Sequence, residues 1–359
     1  MLRKVKAVLA LSLVLSLGAG GAALAHEEAT VYPLPGEEVF PEGIALDAAT
    51  GDFFVGSTTD GTIFSSNVSG PGVEASVFSE GGADGRTTAI GMKTDGAGRL
   101  FVAGGDTGRM FVYDTATGAL IEGFENGREM TFVNDVTLTP DGSAFFTDSM
   151  NPELYRVFPD GAGGYELESY LSFEGTPAEY GEGFNLNGIQ SSADGRYLVT
   201  VKSSTGELFR IDTTTKEVSL IDTGGADLTN GDGLLLDGQT LYVVRNQQEL
   251  IVPVELSADF SSGTAGEPFT DESFMYPTTI AGSGGDVFAV NSQFDARETG
   301  SPELPFNVSS VHIPEEAAAS SEMPQTGGPN PLLLLGGAAA AVVVAVGALA
   351  LILRAVLRR

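Results

Sequence analysis

Between its two ends the chain carries apolar residues in short runs of three to five, each broken by a turn built on Gly, Asp or Asn. That is the pattern of strands joined by tight turns. Six segments repeat it: a polar or small residue heads an apolar strand, a Gly turn follows, and a second strand rich in Phe, Tyr, Leu and Val returns. Glu42-Gly43-Ile44 leads to Gly51-Asp52-Phe53-Phe54-Val55, Ile90-Gly91-Met92 to Gly98-Arg99-Leu100-Phe101-Val102, and Asn134-Asp135-Val136 to Gly142-Ser143-Ala144-Phe145-Phe146. Asn187-Gly188-Ile189 leads to Gly195-Arg196-Tyr197-Leu198-Val199, Asp232-Gly233-Leu234 to Gly238-Gln239-Thr240-Leu241-Tyr242, and Thr278-Thr279-Ile280 to Gly285-Asp286-Val287-Phe288.

The starts of these segments lie 48, 44, 53, 45 and 46 residues apart. A third strand follows in several of them, as in Met110-Phe111-Val112-Tyr113, Leu154-Tyr155-Arg156-Val157 and Leu208-Phe209-Arg210-Ile211. Strand-rich repeats of this length are blades of a β-propeller, small antiparallel sheets that bury their faces only against their neighbours. A β-helix has much shorter repeats, and the absence of Trp argues against the Trp-Asp class of propeller. The expectation is an all-β, six-bladed propeller over residues 26–313. Thr30-Val31-Tyr32-Pro33-Leu34, ahead of the first hairpin, is the predicted outer strand of the last blade and would close the ring.

The ends follow different patterns. Residues 1–25 have a basic start (Arg3, Lys4, Lys6), an apolar run too short to span a bilayer, and Ala23-Leu24-Ala25, a signal-peptidase pattern. Residues 332–353 form an uninterrupted apolar stretch followed by Arg354, Arg358 and Arg359, long enough to span the bilayer with its basic tail inside. Just before it, Met323-Pro324-Gln325-Thr326-Gly327 resembles the Leu-Pro-x-Thr-Gly sorting signal of Gram-positive surface proteins, with Met in the Leu position. The resemblance implies that a sortase cuts after Thr326 within the sorting segment 323–359 and joins the Thr to peptidoglycan. Residues 314–322 are a short Ala- and Ser-containing stalk. The alternative is a permanent single-span anchor, and in both cases the globular part faces outward.

Charge and composition narrow the chemistry. There are 48 acidic and 18 basic residues, and all the acids lie within residues 26–326, which makes nucleic acid a poor partner for the surface. Without cysteine there is no disulfide framework, thiolate metal site or Cys nucleophile. The two histidines, His26 and His312, sit near the ends of the expected domain, so a Ser-His-Asp triad or a His-ligated zinc has no footing. Any chemistry belongs to carboxylates, amides, hydroxyls or an oxygen-held metal. A monomer is expected.

In a propeller the innermost strands line a central channel, so equivalent repeat positions meet around its axis. The heading residues are, in order, Glu42, Ile90, Asn134, Asn187, Asp232 and Thr278. Singly, each polar one is an ordinary turn former. In one register they place two carboxylates and two amides around the channel, where the acids repel unless a cation lies between them. Such oxygens suit Ca²⁺, with Mg²⁺, Mn²⁺ or Zn²⁺ as alternatives where waters complete the shell. The ends of the second strands supply rim candidates, Asp148, Lys202, Arg245 and Asn291.

Pro41-Glu42-Gly43, Asn134-Asp135-Val136 with Pro140-Asp141-Gly142 and Phe146-Thr147-Asp148-Ser149, Asn187-Gly188-Ile189, and Asn230-Gly231-Asp232-Gly233-Leu234 together resemble the senescence marker protein/gluconolactonase-like six-bladed propellers, over roughly residues 35–310. The resemblance implies a divalent metal held by Glu42, Asn187 and Asp232, with Asn134 beside it contacting water or substrate. The chain departs from that family at Phe132, where lactonases of sugar acids carry an arginine that holds substrate oxygens. Two readings stay open. One is a metal-dependent hydrolase of a more apolar lactone or ester, with Asp232 as base. The other is a wall-displayed binding module whose metal is structural.

Overall fold

A computed structural model of the chain describes residues 29–315 and Ala317. The expected signal peptide, most of the stalk and the sorting signal with its apolar span lie outside the described residues. Among the described residues no helix is long and apolar enough to cross a membrane.

Six antiparallel four-stranded sheets follow one another, and together they form an all-β six-bladed propeller. In each blade the predicted hairpin supplies the first and second strands. They are Pro41–Leu46 with Asp52–Ser57 in blade 1, Met92–Thr94 with Arg99–Ala103 in blade 2, and Val133–Leu138 with Ala144–Asp148 in blade 3. Blades 4, 5 and 6 open with Leu186–Ser191 and Tyr197–Lys202, Gly231–Asp237 and Thr240–Arg245, and Pro277–Ser283 and Asp286–Asn291. The outermost strands, such as Leu120–Glu125 and Val218–Leu220, are partly exposed and mix apolar with polar residues, which is why the apolar pattern did not announce them.

The first strands pack side by side around the axis, and that of blade 6 returns to that of blade 1. In five blades the pairing of first and second strands slips two residues after the first strand begins, between Pro41 and Ile44, Val133 and Val136, Leu186 and Ile189, Gly231 and Leu234, and Pro277 and Ile280. A bulge of this kind frees residues from the ladder and re-aims their side chains. The freed pairs are Glu42-Gly43, Asn134-Asp135, Asn187-Gly188, Asp232-Gly233 and Thr278-Thr279, so the register read from the sequence coincides with the bulges. The glycine in the pair has a steric reason. A Cβ on Gly43 would stand 2.0 Å from the Ile90 carbonyl oxygen, and one on Gly188 2.2 Å from that of Asp232, each on the neighbouring blade.

The core is divided among the blade interfaces rather than gathered at one centre. One cluster joins Tyr32 and Phe306 to Phe53, Val55 and Phe288 across the junction of blades 6 and 1. Thr30–Pro33 pairs with Asn307–His312 as the outer strand of blade 6, so the chain's first and last described strands share a sheet. Tyr32 is the peg of this closure: its ring meets Phe53 edge-on at 5.2 Å, and its hydroxyl donates to the Val68 carbonyl at 2.8 Å. At the inner end the Thr278 hydroxyl donates to the Glu42 carbonyl at 3.0 Å. Replacing Tyr32 with Ala removes a buried aromatic from the strand that closes blade 6, which joins that sheet by pairing and packing and not through a connecting turn. Equilibrium unfolding in urea should show a loss of roughly 3–5 kcal/mol, whereas the same change at exposed Val73 should cost less than about 0.5 kcal/mol.

Candidate functional site

The bulged residues converge on the floor of a cavity of about 800 Å³ at one mouth of the channel. Glu42, Asn134, Asn187 and Asp232 all line it, each with a buried side chain, and Ile90 stands in the second position of the ring. Thr278, in the sixth, is spent on the Glu42 carbonyl.

Each amide is turned by a hydroxyl from the end of its own second strand. Asn134 Nδ2 donates to Ser149 Oγ at 2.8 Å, and that hydroxyl donates onward to the Leu186 carbonyl at 2.7 Å. Asn187 Nδ2 donates to Ser203 Oγ at 3.1 Å, which donates to the Gly231 carbonyl at 2.5 Å. In blade 5, Asn246 Nδ2 donates to Asp232 Oδ2 at 2.7 Å. With the nitrogens engaged, the amide oxygens remain as acceptors. Asn134 Oδ1 and Glu42 Oε2 are buried and have no hydrogen-bond partner among the described residues. Two orphaned oxygen acceptors in one site are costly unless something positive meets them.

The carboxylates show the same deficit. Burial pushes Glu42 well above the ordinary carboxylate range, and the charges of Asp232 and Asp135 push it further. Burial raises Asp232 to about 7, despite hydrogen bonds from Asn246 and Asn187 that pull it down, and Asp135 adds to the rise. Asp135 is itself raised by burial, with partial relief from the Lys93 charge, and its Oδ2 accepts the Ile189 N–H at 3.0 Å. No three His, Cys, Asp or Glu side chains cluster to hold a metal among the described residues, so any ion here would depend on amide oxygens as well as acids. Two acids and two amides, one oxygen of Glu42 and one of Asn134 being orphaned, fit a hard divalent cation.

Above the floor the wall is apolar on one side. Phe132 and Phe184 meet edge to face at 5.2 Å, and Tyr276 and Phe294 lie farther round the same cavity. The rim candidates from the second-strand ends do not line it. Asp148 is fully buried and holds the approach to blade 3, accepting the backbone N–H groups of Phe132, Met150 and Asn151 at 2.8–3.0 Å and the Thr131 hydroxyl. Lys202 donates to the Glu179 carbonyl, Arg245 pairs with Asp227, and Asn291 is consumed by Ser273, Asn307 and Ser309. They are neither free ligands nor solvated strand ends.

The polar layer stands one residue further on, at Ser149, Ser203 and Asn246. A recurring small polar residue after the second strand of five blades, Thr58, Ser149, Ser203, Asn246 and Ser292, was its signal in the sequence. Asp135 had one as well, since it stands where the heading pairs of blades 1, 2, 4 and 5 carry Gly43, Gly91, Gly188 and Gly233.

No protein-family model matches the chain, and no curated protein matches its sequence. Solved structures with the same fold include the calcium-binding protein regucalcin from Agrobacterium tumefaciens, at 16% identity and TM-score 0.55 over 78% of this chain and 92% of that one. A gluconolactonase from Xanthomonas campestris aligns at 15% identity and TM-score 0.55, over 81% of this chain and 92% of its own. The Malassezia sympodialis allergen Mala s 1 aligns over 84% and 100% at 13% identity, with TM-score 0.62. The structural neighbours thus include propellers of the gluconolactonase and regucalcin type, and at these identities the likeness is one of fold.

The raised carboxylates carry a sign that can be measured. Glu42 and Asp232 hold protons more tightly folded than unfolded, so their contribution to stability falls as pH rises from the ordinary carboxylate range near 4 through about 7. In chelator, Asp232→Asn should therefore melt above the parent protein at pH 8 by a few degrees, a gap that closes at pH 4. Excess CaCl₂ should raise the parent's melting temperature at pH 8 and leave the variant nearly unmoved. Differential scanning calorimetry of both proteins at the two pH values checks it.

Proposed function

We propose that the protein is an exported, wall-displayed hydrolase of lactones or esters that works with a divalent metal, Ca²⁺ by preference. The observation that carries this reading is the pair of orphaned buried oxygens, Glu42 Oε2 and Asn134 Oδ1, beside a carboxylate held near neutral pKa. Likeness to a calcium-binding protein and a gluconolactonase of the same fold supports it. Glu42, Asn187 and Asp232 would hold the ion, with Asn134 beside it. When bound, a divalent cation supplies Lewis acidity toward the substrate carbonyl.

The chain's own residues supply the rest. Asp232, facing the channel, removes a proton from the attacking water as its oxygen bonds to the acyl carbon. It returns that proton to the alcohol oxygen as the acyl C–O bond breaks. Asn134, fixed by Ser149, aligns the water or the substrate. Phe132 and Phe184 exclude bulk water on one side and favour apolar acyl or alcohol groups.

A second reading, a non-catalytic binding module with a structural ion, draws on Phe132 itself, which removes the clamp a polar sugar lactone would need. A hydrolysis screen of aryl esters and aliphatic lactones separates the two. Turnover should vanish with chelator, return with CaCl₂, and fall about 100-fold or more in Asp232→Asn. Full rate in that variant, or turnover indifferent to chelator, would refute the hydrolase assignment. For display, Thr326→Ala should shift the protein from the wall fraction to the membrane fraction. The sorting motif lies outside the described residues, so this rests on the sequence alone, and unchanged wall linkage would reject it.

A further inference from the structure

The cavity has one basic lining residue, Arg297, and its setting is unusual in so acidic a chain. Arg99, Arg128, Arg156, Arg196 and Arg245 pair with carboxylates. Arg297, like Arg86, Arg109 and Arg210, has no acidic partner among the described side chains, and of these four it alone lines the cavity. It is nevertheless held in place. Its guanidinium lies 4.7 Å from the Phe40 ring centre and 5.1 Å from that of Phe294. One terminal nitrogen, Nη2, donates to the hydroxyls of Thr58 and Thr59. Stacking and threonine contacts fix the fork and leave Nε and Nη1 without a described partner, which is how a planar anion is received.

Position adds a second constraint. Arg297 follows the second strand of blade 6 and reaches the blade 1 threonines, so it marks the junction of blades 6 and 1. Phe132 precedes the first strand of blade 3, and Phe184 lies between blades 3 and 4. In a ring of six the 3–4 junction that carries Phe184 faces the 6–1 junction across the axis, with the oxygen-lined floor between them, and Phe132 reaches it from the entry to blade 3 by its edge-to-face contact with Phe184. Asp106, Glu42 and Asp232 also line the cavity. A divalent ion offsets the charge of the last two, leaving Asp106 as the acid that opposes an incoming anion.

We propose that the cavity takes an amphipathic monoanion: a substrate whose carboxylate pairs with Arg297 and whose apolar, ring-bearing end packs on Phe132 and Phe184, so that the scissile carbonyl lies over the floor between them. The arginine missing beside Asn134 is thereby replaced from the opposite side of the ring. This rests on the cavity being the substrate site proposed above, but its test reads binding and does not require turnover.

Calcium-loaded protein is titrated with ω-phenylalkanoates from butanoate to octanoate and with the matching ω-phenylalkanols, by calorimetry. The best carboxylate should bind about 10-fold or more tightly than its alcohol, a difference of about 1.4 kcal/mol. Arg297→Gln should erase that preference, Arg297→Lys should keep part of it, and Phe132→Ala should weaken acid and alcohol alike. No carboxylate preference at any chain length would overturn the proposal. So would a preference abolished by chelator yet intact in Arg297→Gln, because the carboxylate would then sit on the ion. In a kinetic arm, mono-4-nitrophenyl adipate should show a lower KM than 4-nitrophenyl hexanoate, and Arg297→Gln should remove the difference. Anion preference without turnover would defeat the hydrolase reading and leave this one standing. Turnover without anion preference would do the reverse.

Discussion

Everything in this molecule depends on how closely six first strands can approach one axis. Where neighbouring strands touch, a backbone carbonyl of one blade occupies the space a Cβ of the next would need, and Gly43 and Gly188 yield it. The bulges that free Gly43, Gly188 and Gly233 from their hairpins also free the residue before each, turning Glu42, Asn187 and Asp232 toward the channel. Ring closure and site assembly are therefore one geometric event. A bulkier residue at such a glycine would spread the blades and move the oxygen donors apart together.

That convergence has an electrostatic cost. Burial withdraws water from Glu42, Asp232 and Asp135 within one channel, so each is driven toward its neutral form, and Lys93 answers only part of the charge. Asn246 and Asn187 relieve Asp232 only in part, while Ser149 and Ser203 engage the nitrogens of Asn134 and Asn187 and leave the amide oxygens as further acceptors. A floor composed of acceptors alone is a poor core and a good cation seat. Stability of the apo protein and readiness to bind an ion are opposed by construction.

The cavity walls divide the work differently. Asp148, buried beneath the approach to blade 3, spends its carboxylate on backbone N–H groups and so fixes the segment that carries Phe132. On the opposite side, aromatic stacking and two threonines fix Arg297. The floor would favour a divalent ion and the walls an apolar body, and neither property requires the sugar-oxygen contacts of a polar lactone.

From the sequence alone, the six-fold repeat, the hairpins, the closing strand at Thr30–Pro33 and the shared register of Glu42, Asn134, Asn187 and Asp232 were legible, because each is local or periodic. Apolar alternation and turn glycines encode a hairpin within about fifteen residues, and repetition carries that code round the ring. What only the tertiary structure decided is which of those residues remain unpaired. Asp148, Lys202, Arg245 and Asn291 read as rim groups in the sequence, yet each is consumed by a partner on another segment. Arg297, silent in the sequence, lines the cavity because the short helix Phe294–Thr299 after the second strand of blade 6 reaches the threonines of blade 1. Hydrogen-bond partnership between segments far apart in the chain leaves no period to read, so the fold can be deduced from spacing while the use of each polar side chain depends on its neighbours in space.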